Sequence, residues 1–328
     1  MARRTRQGSV GEVFGAALRL GLTSFGGPAA HLGYFRREYV ERRRWLDDAA
    51  FGDLVSLSQF LPGPGSTQLT IAIGTGRAGM WGGLAAWLGF TAPSAIVMIA
   101  LGLVATSVDL SGAGWVHGLK LAAVAVVAQA VLAMGRTLAP DWQRRGMAVV
   151  AAVIALLVAT PMTQVVLIVA GGVVGMLLLR PGEAAGAPAS DRAPAPDRAP
   201  APDGVHRVPL RAGVLALVLF AVLLAGLPLA RGLGGHATEL FDSFYRSGAL
   251  VFGGGHVVLP LLHANVVDPG WVSDGAFLAG YGASQAVPGP LFTFAAYLGA
   301  VGQPAPSGVV GGLIALVAIF LPSFLLVF

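Results

Sequence analysis

Two arginines in otherwise apolar sequence, Arg19 and Arg246, each lie six residues before a Phe-Gly-Gly sequence. A guanidinium binds an oxyanion through forked hydrogen bonds, and a charged side chain in apolar sequence is usually functional. This matched pair is therefore a candidate oxyanion site. The alternative is that both side chains snorkel to a membrane interface or pair with an acid such as Glu12 or Asp242.

Two Pro-Gly-Pro sequences, at residues 62–64 and 288–290, interrupt apolar stretches. Proline lacks an N–H and its ring clashes with the preceding turn, so each sequence should break a helix. Broken backbone at membrane depth must be buried in protein or line a watery cavity, and matched breaks in two halves indicate a transporter's binding site. Gln59 and Gln285 precede the breaks. They either donate to a bound oxyanion or cap the free carbonyls of the preceding helix.

A helix that begins after each break presents free N–H groups and a positive dipole end to an anion. Glycines in the breaks let a ligand approach the backbone, and nearby hydroxyls either cap the helix or face the ligand. The predicted substrate-binding residues are Arg19, Arg246, Phe25, Gly26, Gly27, Gln59, Pro62, Gly63, Pro64, Ser66, Thr67, Gly253, Gly254, Gln285, Pro288, Gly289, Pro290 and Thr293.

Three titratable residues near the breaks are candidates for proton coupling: Asp53, His31 and His256. Asp53 lies six residues before Gln59, and its alternative role is that of an acid at a loop edge. Histidine titrates near physiological pH, but these two histidines do not occupy matched positions in the two halves, which favours structural roles.

The composition is that of a polytopic membrane protein, because 55% of the 328 residues are hydrophobic and only 11% are charged. A soluble domain carries about 25% charged residues. The chain has no cysteine, which excludes disulfides and thiolate metal sites. It also contains no metal-ligand spacing, phosphate-binding loop or dinucleotide fingerprint. We therefore expect no enzyme activity, cofactor, metal or nucleic-acid partner.

Apolar segments and basic loops predict an all-α fold with re-entrant broken-helix hairpins at 12–33 and 50–75. The flanks of these segments are basic, and basic loops lie in the cytoplasm. Spans follow at 79–106, at 115–135 and, as two helices, at 147–179, and a single span at 210–230 precedes the second pair of hairpins.

The segment 181–209 differs from the rest, because Asp-Arg-Ala-Pro-Ala-Pro occurs twice in tandem between Asp191 and Pro202. Such a tract cannot bury a core and should be disordered, either as a plain linker or as a regulatory tether. The plain linker is favoured. It separates a membrane half at 1–180 from a second membrane half at 210–328.

The second half repeats the motifs of the first in order and spacing, including Pro93-Ser94 and Pro322-Ser323. The charges do not repeat, since residues 36–44 contain five arginines and residues 263–270 contain none. Four spans plus one separate the halves, and this odd number predicts an inverted repeat.

The chain ends at Phe328 inside an apolar run, which suggests a truncated chain or a second half without closing helices.

The motifs around the breaks resemble those of the chromate transporter family. The matching sequences are Phe25-Gly-Gly-Pro-Ala-Ala-His31, Ser58-Gln-Phe-Leu-Pro-Gly-Pro64, Phe252-Gly-Gly-Gly-His256 and Gln285-Ala-Val-Pro-Gly-Pro290. The resemblance covers residues 14–100 and 241–325, whereas residues 101–180 match only in character.

The resemblance implies a multi-pass protein of the bacterial inner membrane that exports chromate, an analogue of sulfate, by proton-motive force or anion exchange. The expected partners are this oxyanion and the lipid bilayer, and a homodimer is a further expectation. An anion channel with the same hairpins, or a transporter of another oxyanion such as sulfate, remains an alternative. A membrane enzyme such as a lipid-phosphate hydrolase would need an acid–base or metal constellation, and the sequence has none.

Overall fold

A computed structural model describes residues 8–107, isolated positions between 114 and 139, and residues 141–158, 161–178, 209–251 and 258–327. Every element in these ranges is helical, in agreement with the predicted all-α fold. Three of the described helices are long and apolar enough to cross a membrane: Gly65–Ser107, Leu210–Ala230 and Gly308–Val327. Residues 181–208 of the predicted linker lie outside the described residues.

Two compact units make up the chain, one of residues 1–123 and 200–328 and the other of residues 124–199. The first unit begins with α1 (Val10–Thr23), whose N-terminus is capped by the hydroxyl of Ser9. After α1 the backbone turns through Gly26 and Gly27, whose φ angles of +93° and +77° favour glycine. Helix α2 (Gly27–Phe35) follows, with a proline in its first turn. The predicted break near Phe25 is confirmed.

Helix α2 runs into a π-helix (Arg36–Arg42), and α3 (Asp48–Phe60) follows with Asp47 as its cap. The first Pro-Gly-Pro sequence separates α3 from α4 (Gly65–Ser107). Helix α4 is itself interrupted at Ala78 and Gly79, where Gly79 has a φ of +69°. We refer to the parts before and after this interruption as the first and second segments of α4. Their boundary agrees with the start of the span predicted at 79–106.

The smaller unit contains α5 (Trp142–Leu157) and α6 (Pro161–Leu178). The prediction of two helices within 147–179 is confirmed, and the second begins at Pro161 because proline is well suited to the first turn of a helix. Most of the span predicted at 115–135 lies outside the described residues.

The order of elements in the first half recurs in the second half. The helices are α7 (Leu210–Ala230), α8 (Gly235–Ala249), α9 (Val258–Val266), α10 (Asp274–Ala286), a 3₁₀ turn (Leu291–Thr293), α11 (Phe294–Val301) and α12 (Gly308–Val327). The second Pro-Gly-Pro sequence separates α10 from the 3₁₀ turn. Gly308, which starts α12 with a φ of +60°, corresponds to Gly79.

Glycines without a side chain allow close contact between helices in both halves. A Cβ at Gly21 of α1 would lie 2.6 Å from the carbonyl oxygen of Phe90 in α4. In the second half, a Cβ at Gly248 of α8 would likewise collide with the carbonyl of Ile319 in α12. Phe90 and Ile319 occupy matched positions before the two Pro-Ser pairs, so the two halves use the same contact.

The second segment of α4 and its repeat counterpart α12 pack against each other in antiparallel directions. The ring of Trp87, early in this segment, lies 5.5 Å from that of Phe324 near the end of α12. Leu103, late in the segment, lies 3.5 Å from a Cβ placed at Gly308, at the start of α12. Aromatic and aliphatic contacts of this kind stabilise the pair.

The arginines of the basic loop at 36–44 are largely engaged in ion pairs. Glu38, whose side chain is only 6% exposed, accepts from Arg42 at 2.9 Å and from Arg43 at 2.6 Å. Arg36 binds Asp48 at 2.7 Å and also pairs with a second acid in the loop. These pairs order the loop and reduce its attraction for distant anions, because the charges of Arg36, Arg42 and Arg43 are partly compensated by nearby carboxylates.

Candidate functional site

The two Pro-Gly-Pro loops each bind the other half of the chain through a glycine amide. The N–H of Gly63 donates to the carbonyl of Val251 at 2.7 Å, and the N–H of Gly289 donates to the carbonyl of Ser24 at 2.9 Å. Ser24 and Val251 occupy the same position, directly before their Phe-Gly-Gly sequences. The hydrogen bonds are therefore reciprocal: the Pro-Gly-Pro loop of each half is held against the residue that precedes the Phe-Gly-Gly sequence of the other half.

Both loop glycines adopt backbone conformations that other residues avoid. The φ angles are +120° at Gly63 and +107° at Gly289, in the left-handed region. A Cβ at Gly63 would lie 2.8 Å from Gln68 Nε2 and 3.1 Å from Ser323 Oγ. These loops need glycine for both conformation and space.

A serine hydroxyl from the opposite half faces each loop. Ser323 Oγ lies beside Gly63, and Ser94 Oγ would be 2.8 Å from a Cβ at Gly289. The two serines are repeat counterparts that follow Pro93 and Pro322 inside long helices. Each loop thus lies against the serine of the other half's Pro-Ser pair and against the residue that directly precedes the other half's Phe-Gly-Gly sequence.

The start of α4 presents amide groups without acceptors. The N–H groups of Thr67 and Gln68 both donate to the carbonyl of Pro64, at 2.9 and 3.0 Å. A helix has no internal acceptor for its first N–H groups. Within the described residues, those of Gly65 and Ser66 therefore remain available at the positive end of the helix dipole. In the second half, the N–H and hydroxyl of Thr293 both donate to Pro290.

Several buried polar atoms around the breaks have no hydrogen-bond partner among the described residues. They are Ser24 Oγ, Thr67 Oγ1, Gln68 Oε1, Thr91 Oγ1, Gln285 Nε2 and Ser323 Oγ. Buried polar groups are normally satisfied, and leaving one unpaired costs about 1–3 kcal/mol. Such a concentration at two broken helices is typical of a site that binds a polar ligand.

A cavity of about 260 Å³ adjoins the first Pro-Gly-Pro loop between α3 and the first segment of α4. Its lining is mostly apolar, with polar contributions from Ser58, Gln68 and Thr75. The hydroxyls of Ser58 and Thr75 already donate to backbone carbonyls, and Gln68 donates one of its two amide N–H groups to Pro62, so the cavity offers few free donors.

Comparison with known proteins places this architecture in a family. The family described as "Chromate transporter" matches residues 11–176 and 238–328. The chain belongs to the chromate transporter family. It is therefore a helical membrane protein of a transport family, and the resemblance in its break motifs is confirmed.

Curated relatives of this transporter span most of its length. The "Chromate transport protein" of Pseudomonas aeruginosa is 31% identical over 317 residues, 95% of this chain and 70% of the relative. The "Probable chromate transport protein" of Synechococcus elongatus is 28% identical over 315 residues, 94% of this chain and 72% of the relative. The "Chromate transport protein" of Cupriavidus metallidurans is 25% identical over 313 residues, 94% of this chain and 70% of the relative. No solved structure matches the chain significantly.

The two predicted arginines of the transporter, Arg19 and Arg246, have no ion pair in the part of the chain that the structure describes. Glu12 instead lies 3.5 Å from Arg77 and 3.8 Å from Arg43. The proposed pairing of Arg19 with Glu12 is therefore wrong, because Arg77 and Arg43 occupy that carboxylate. Arg19 is exposed on α1, and Arg246 is half-buried on α8. Their role in binding stays a prediction.

Asp242 is paired with Arg231 rather than with Arg246. Its side chain is fully buried, one carboxylate oxygen pairs with Arg231, and Oδ1 has no partner among the described residues. Arg231 also donates to Ser243 Oγ at 3.1 Å. The proposed pairing of Arg246 with Asp242 is wrong, because α8 folds back on α7 and brings Asp242, in the middle of α8, to Arg231 at the end of α7. Sequence reasoning missed this pair, since Arg231 lies in a turn outside the repeated motifs.

The remaining predicted residues divide between the buried breaks and the surface. Pro64, Ser66, Thr67, Pro290 and Thr293 are buried, Pro62, Gln285 and Pro288 are half-buried, and Gln59 and Asp53 are exposed. Phe25 is 47% exposed, beside Gly26 and Gly27 at the first break. Gly253, Gly254 and His256 lie outside the described residues.

His31 is fully buried against aromatic rings. Its ring centroid lies 5.5 Å from that of Phe90 and 5.9 Å from that of Phe35. Neither ring nitrogen has a hydrogen-bond partner among the described residues. This packing agrees with the structural role that the sequence favoured, while its part in proton coupling stays a prediction.

Sequence reasoning did not assign Ser24, Thr91, Ser94 or Ser323 to the site. A signal was present for two of them, because Ser94 and Ser323 are matched in the repeat and each follows a proline that interrupts helical hydrogen bonding.

Proposed function

We propose that this protein is a secondary active transporter that exports chromate across the bacterial inner membrane. The oxyanion is held at broken-helix N-termini between the two repeats. The observation that carries the proposal is the reciprocal pair of hydrogen bonds from Gly63 to Val251 and from Gly289 to Ser24. Each bond joins a Pro-Gly-Pro loop of one half to the other half, as expected of a transport site that draws on both repeats.

The chemistry of this region favours a tetrahedral oxyanion. The free amides of Gly65 and Ser66 and the hydroxyls around the breaks are neutral donors, which bind an anion without an excess of positive charge that would trap it. Arg19 and Arg246 supply charge from the helices that lead to the breaks. Because neither has an ion pair among the described residues, both guanidinium groups are free to interact with a passing anion.

The substrate is chromate by analogy with the relatives, whose printed names describe chromate transport. Chromate and sulfate are similar dianions, so a transporter of sulfate is the principal alternative. An anion channel with the same breaks differs only in its coupling, because its flux would follow the anion gradient alone.

Uptake of radiolabelled chromate into inside-out membrane vesicles tests the function. We expect uptake that is driven by a proton gradient, abolished by an uncoupler and reduced by excess sulfate. Arg19→Gln and Arg246→Gln should each reduce the rate at least about tenfold, and lysine should restore only part of it because it lacks the guanidinium fork. Arg37→Gln, at an exposed residue of the basic loop, is the control with the same loss of charge.

Each alternative has its own result in this assay. Uptake that ignores the proton gradient and the uncoupler would identify a channel. Uptake of sulfate but not chromate would identify a sulfate transporter. Native rates in both glutamine variants would assign the arginines to the membrane interface instead.

We propose further that the halves form an inverted repeat. The antiparallel packing of α12 on the second segment of α4, its repeat counterpart, supports this arrangement. Because the chain has no cysteine, single cysteines can report topology cleanly. Cysteines at the exposed positions Arg37 and Trp142 should react from the cytoplasmic side, and one at Pro269 from the outside. If Arg37→Cys and Pro269→Cys react from the same side, the inverted repeat is wrong.

A further inference from the structure

Three features of Ser323 occur together. It is fully buried, its hydroxyl has no partner among the described residues, and it faces the tightest point of the first Pro-Gly-Pro loop. The hydroxyl lies 3.1 Å from the position of a Cβ on Gly63, so an atom in that space would be within its reach. A serine in a helix usually donates to a carbonyl of the preceding turn, as Ser247 does to Ser243 at 2.8 Å. Ser323 lacks that bond.

We propose that Ser323 is a direct hydroxyl ligand of the transported oxyanion, with Ser94 as its repeat counterpart at the second loop. The inference rests on the proposed function and names a specificity-determining residue for it. The donor that Ser323 leaves unused matches an acceptor-rich tetrahedral dianion, and the free amides at the start of α4 follow the same loop. The subsite therefore consists of a loop from one half and a serine from the other.

The two serines are not equivalent in their present hydrogen bonding. Ser94 donates to the carbonyl of Thr91 at 3.1 Å, whereas Ser323 donates to nothing described. Ser94 must give up that bond before it can donate to an anion. Ser323 therefore contributes more than Ser94 to the affinity for the anion. Removal of the Ser323 hydroxyl weakens binding more than the same change at Ser94.

A ligand role and a structural role predict opposite effects on the empty protein. Removing a hydroxyl that supports the fold lowers stability, because a hydrogen bond is lost. Removing a buried hydroxyl that has no partner costs little, and it can raise stability because an unsatisfied group disappears. Binding to the folded state raises stability in proportion to the logarithm of ligand concentration over Kd. The chromate-induced rise in Tm therefore separates the two roles.

The experiment compares the purified full-length protein with its Ser323→Ala, Ser94→Ala and Ser247→Ala variants. Equilibrium binding of radiolabelled chromate and thermal unfolding, with and without chromate, are measured for each. The chain has no cysteine for chromate to oxidise, so binding is not complicated by thiol chemistry. Ser247→Ala is the matched control, because this serine is equally buried but donates within α8 and accepts from Asn265 at 3.1 Å.

We expect Ser323→Ala to keep the Tm of the empty protein and to weaken chromate binding by about tenfold to hundredfold. Its chromate-induced rise in Tm should shrink accordingly, and Ser94→Ala should show a smaller loss. Ser247→Ala should lower the Tm of the empty protein while the chromate-induced rise stays native. A parallel series with sulfate shows whether the subsite discriminates between the two oxyanions or serves both.

Two results overturn the inference, and a third concerns the proposed function instead. Native chromate affinity in Ser323→Ala would exclude the hydroxyl as a ligand. A lower Tm of the empty Ser323→Ala protein, with a native chromate-induced rise, would assign the residue to the fold. If the unmodified protein binds neither chromate nor sulfate, the proposed substrate class itself fails.

Discussion

Replacing either loop glycine by alanine should reduce the proposed chromate transport at least about tenfold, although both variants should still insert into the membrane. At Gly63 the φ angle is +120°, and at Gly289 it is +107°. A side chain in such a conformation costs about 1–3 kcal/mol. The added Cβ would also lie 2.8 Å from Gln68 Nε2 at the first loop and 2.8 Å from Ser94 Oγ at the second. Either the loop or the facing side chain must shift, and a shift of the loop displaces the amide that binds the opposite half.

Two glycines provide controls for this prediction. Gly270 has a similar φ of +81° but no atom within 4 Å of its Cβ position, so Gly270→Ala imposes strain without a collision. Gly15 in α1 has neither constraint, and Gly15→Ala should be neutral. Chromate uptake by vesicles, normalised to the amount of membrane protein, is the measurement. If both loop variants keep the rate of Gly270→Ala, the substrate path lies elsewhere, and the Phe25–Pro28 break is the next place to test.

The second large effect concerns stability and the ion pair of Asp242 with Arg231. Arg231→Gln should destabilise the protein by about 3 kcal/mol, because it leaves a fully buried carboxylate without its counter-charge. This value is at the low end for buried pairs, since the Arg231 side chain is 39% exposed. Adding Asp242→Asn should recover part of the loss, because the uncompensated charge is then removed. Thermal unfolding in detergent and the protein level in membranes report the change.

Arg36→Gln is the control for the buried pair. Arg36 and its partners Glu41 and Asp48 are about half exposed or more, and such surface pairs contribute about 1 kcal/mol or less. Equal losses of stability in Arg231→Gln and Arg36→Gln would show that burial does not distinguish the two pairs. A double variant no more stable than Arg231→Gln would show that the two side chains do not act as a unit.

The positions of the helix breaks could be predicted from the sequence because their causes are local. Proline cannot continue a helix, and Gly26, Gly27, Gly63 and Gly289 adopt positive φ angles that other residues avoid. Hydropathy likewise predicted the helical class, and the motifs of the breaks identified the family. The repeat was visible because matched prolines and glycines keep their order and spacing in both halves.

The partners of these breaks were decided only by the tertiary structure. No local rule pairs Gly63 with Val251 or Gly289 with Ser24, since each bond joins residues more than 180 positions apart in sequence. The sequence also did not show which residues of α3 are exposed. Gln59 and Asp53 lie in the same apolar segment as the buried Ser58, yet they face outward, because only one side of α3 packs against α4.

Ion pairs were likewise determined partly by the sequence and partly by the tertiary structure. The sequence located the arginines and acids, and composition alone required that charges in so apolar a chain be few and costly. Which arginine reaches which acid depended on how α7 meets α8 and how α1 meets α4. Those contacts directed Arg231 to Asp242 and Arg77 to Glu12, and left Arg19 and Arg246 without partners among the described residues. Local chemistry thus determined where the backbone breaks, and long-range packing determined which side chains meet there.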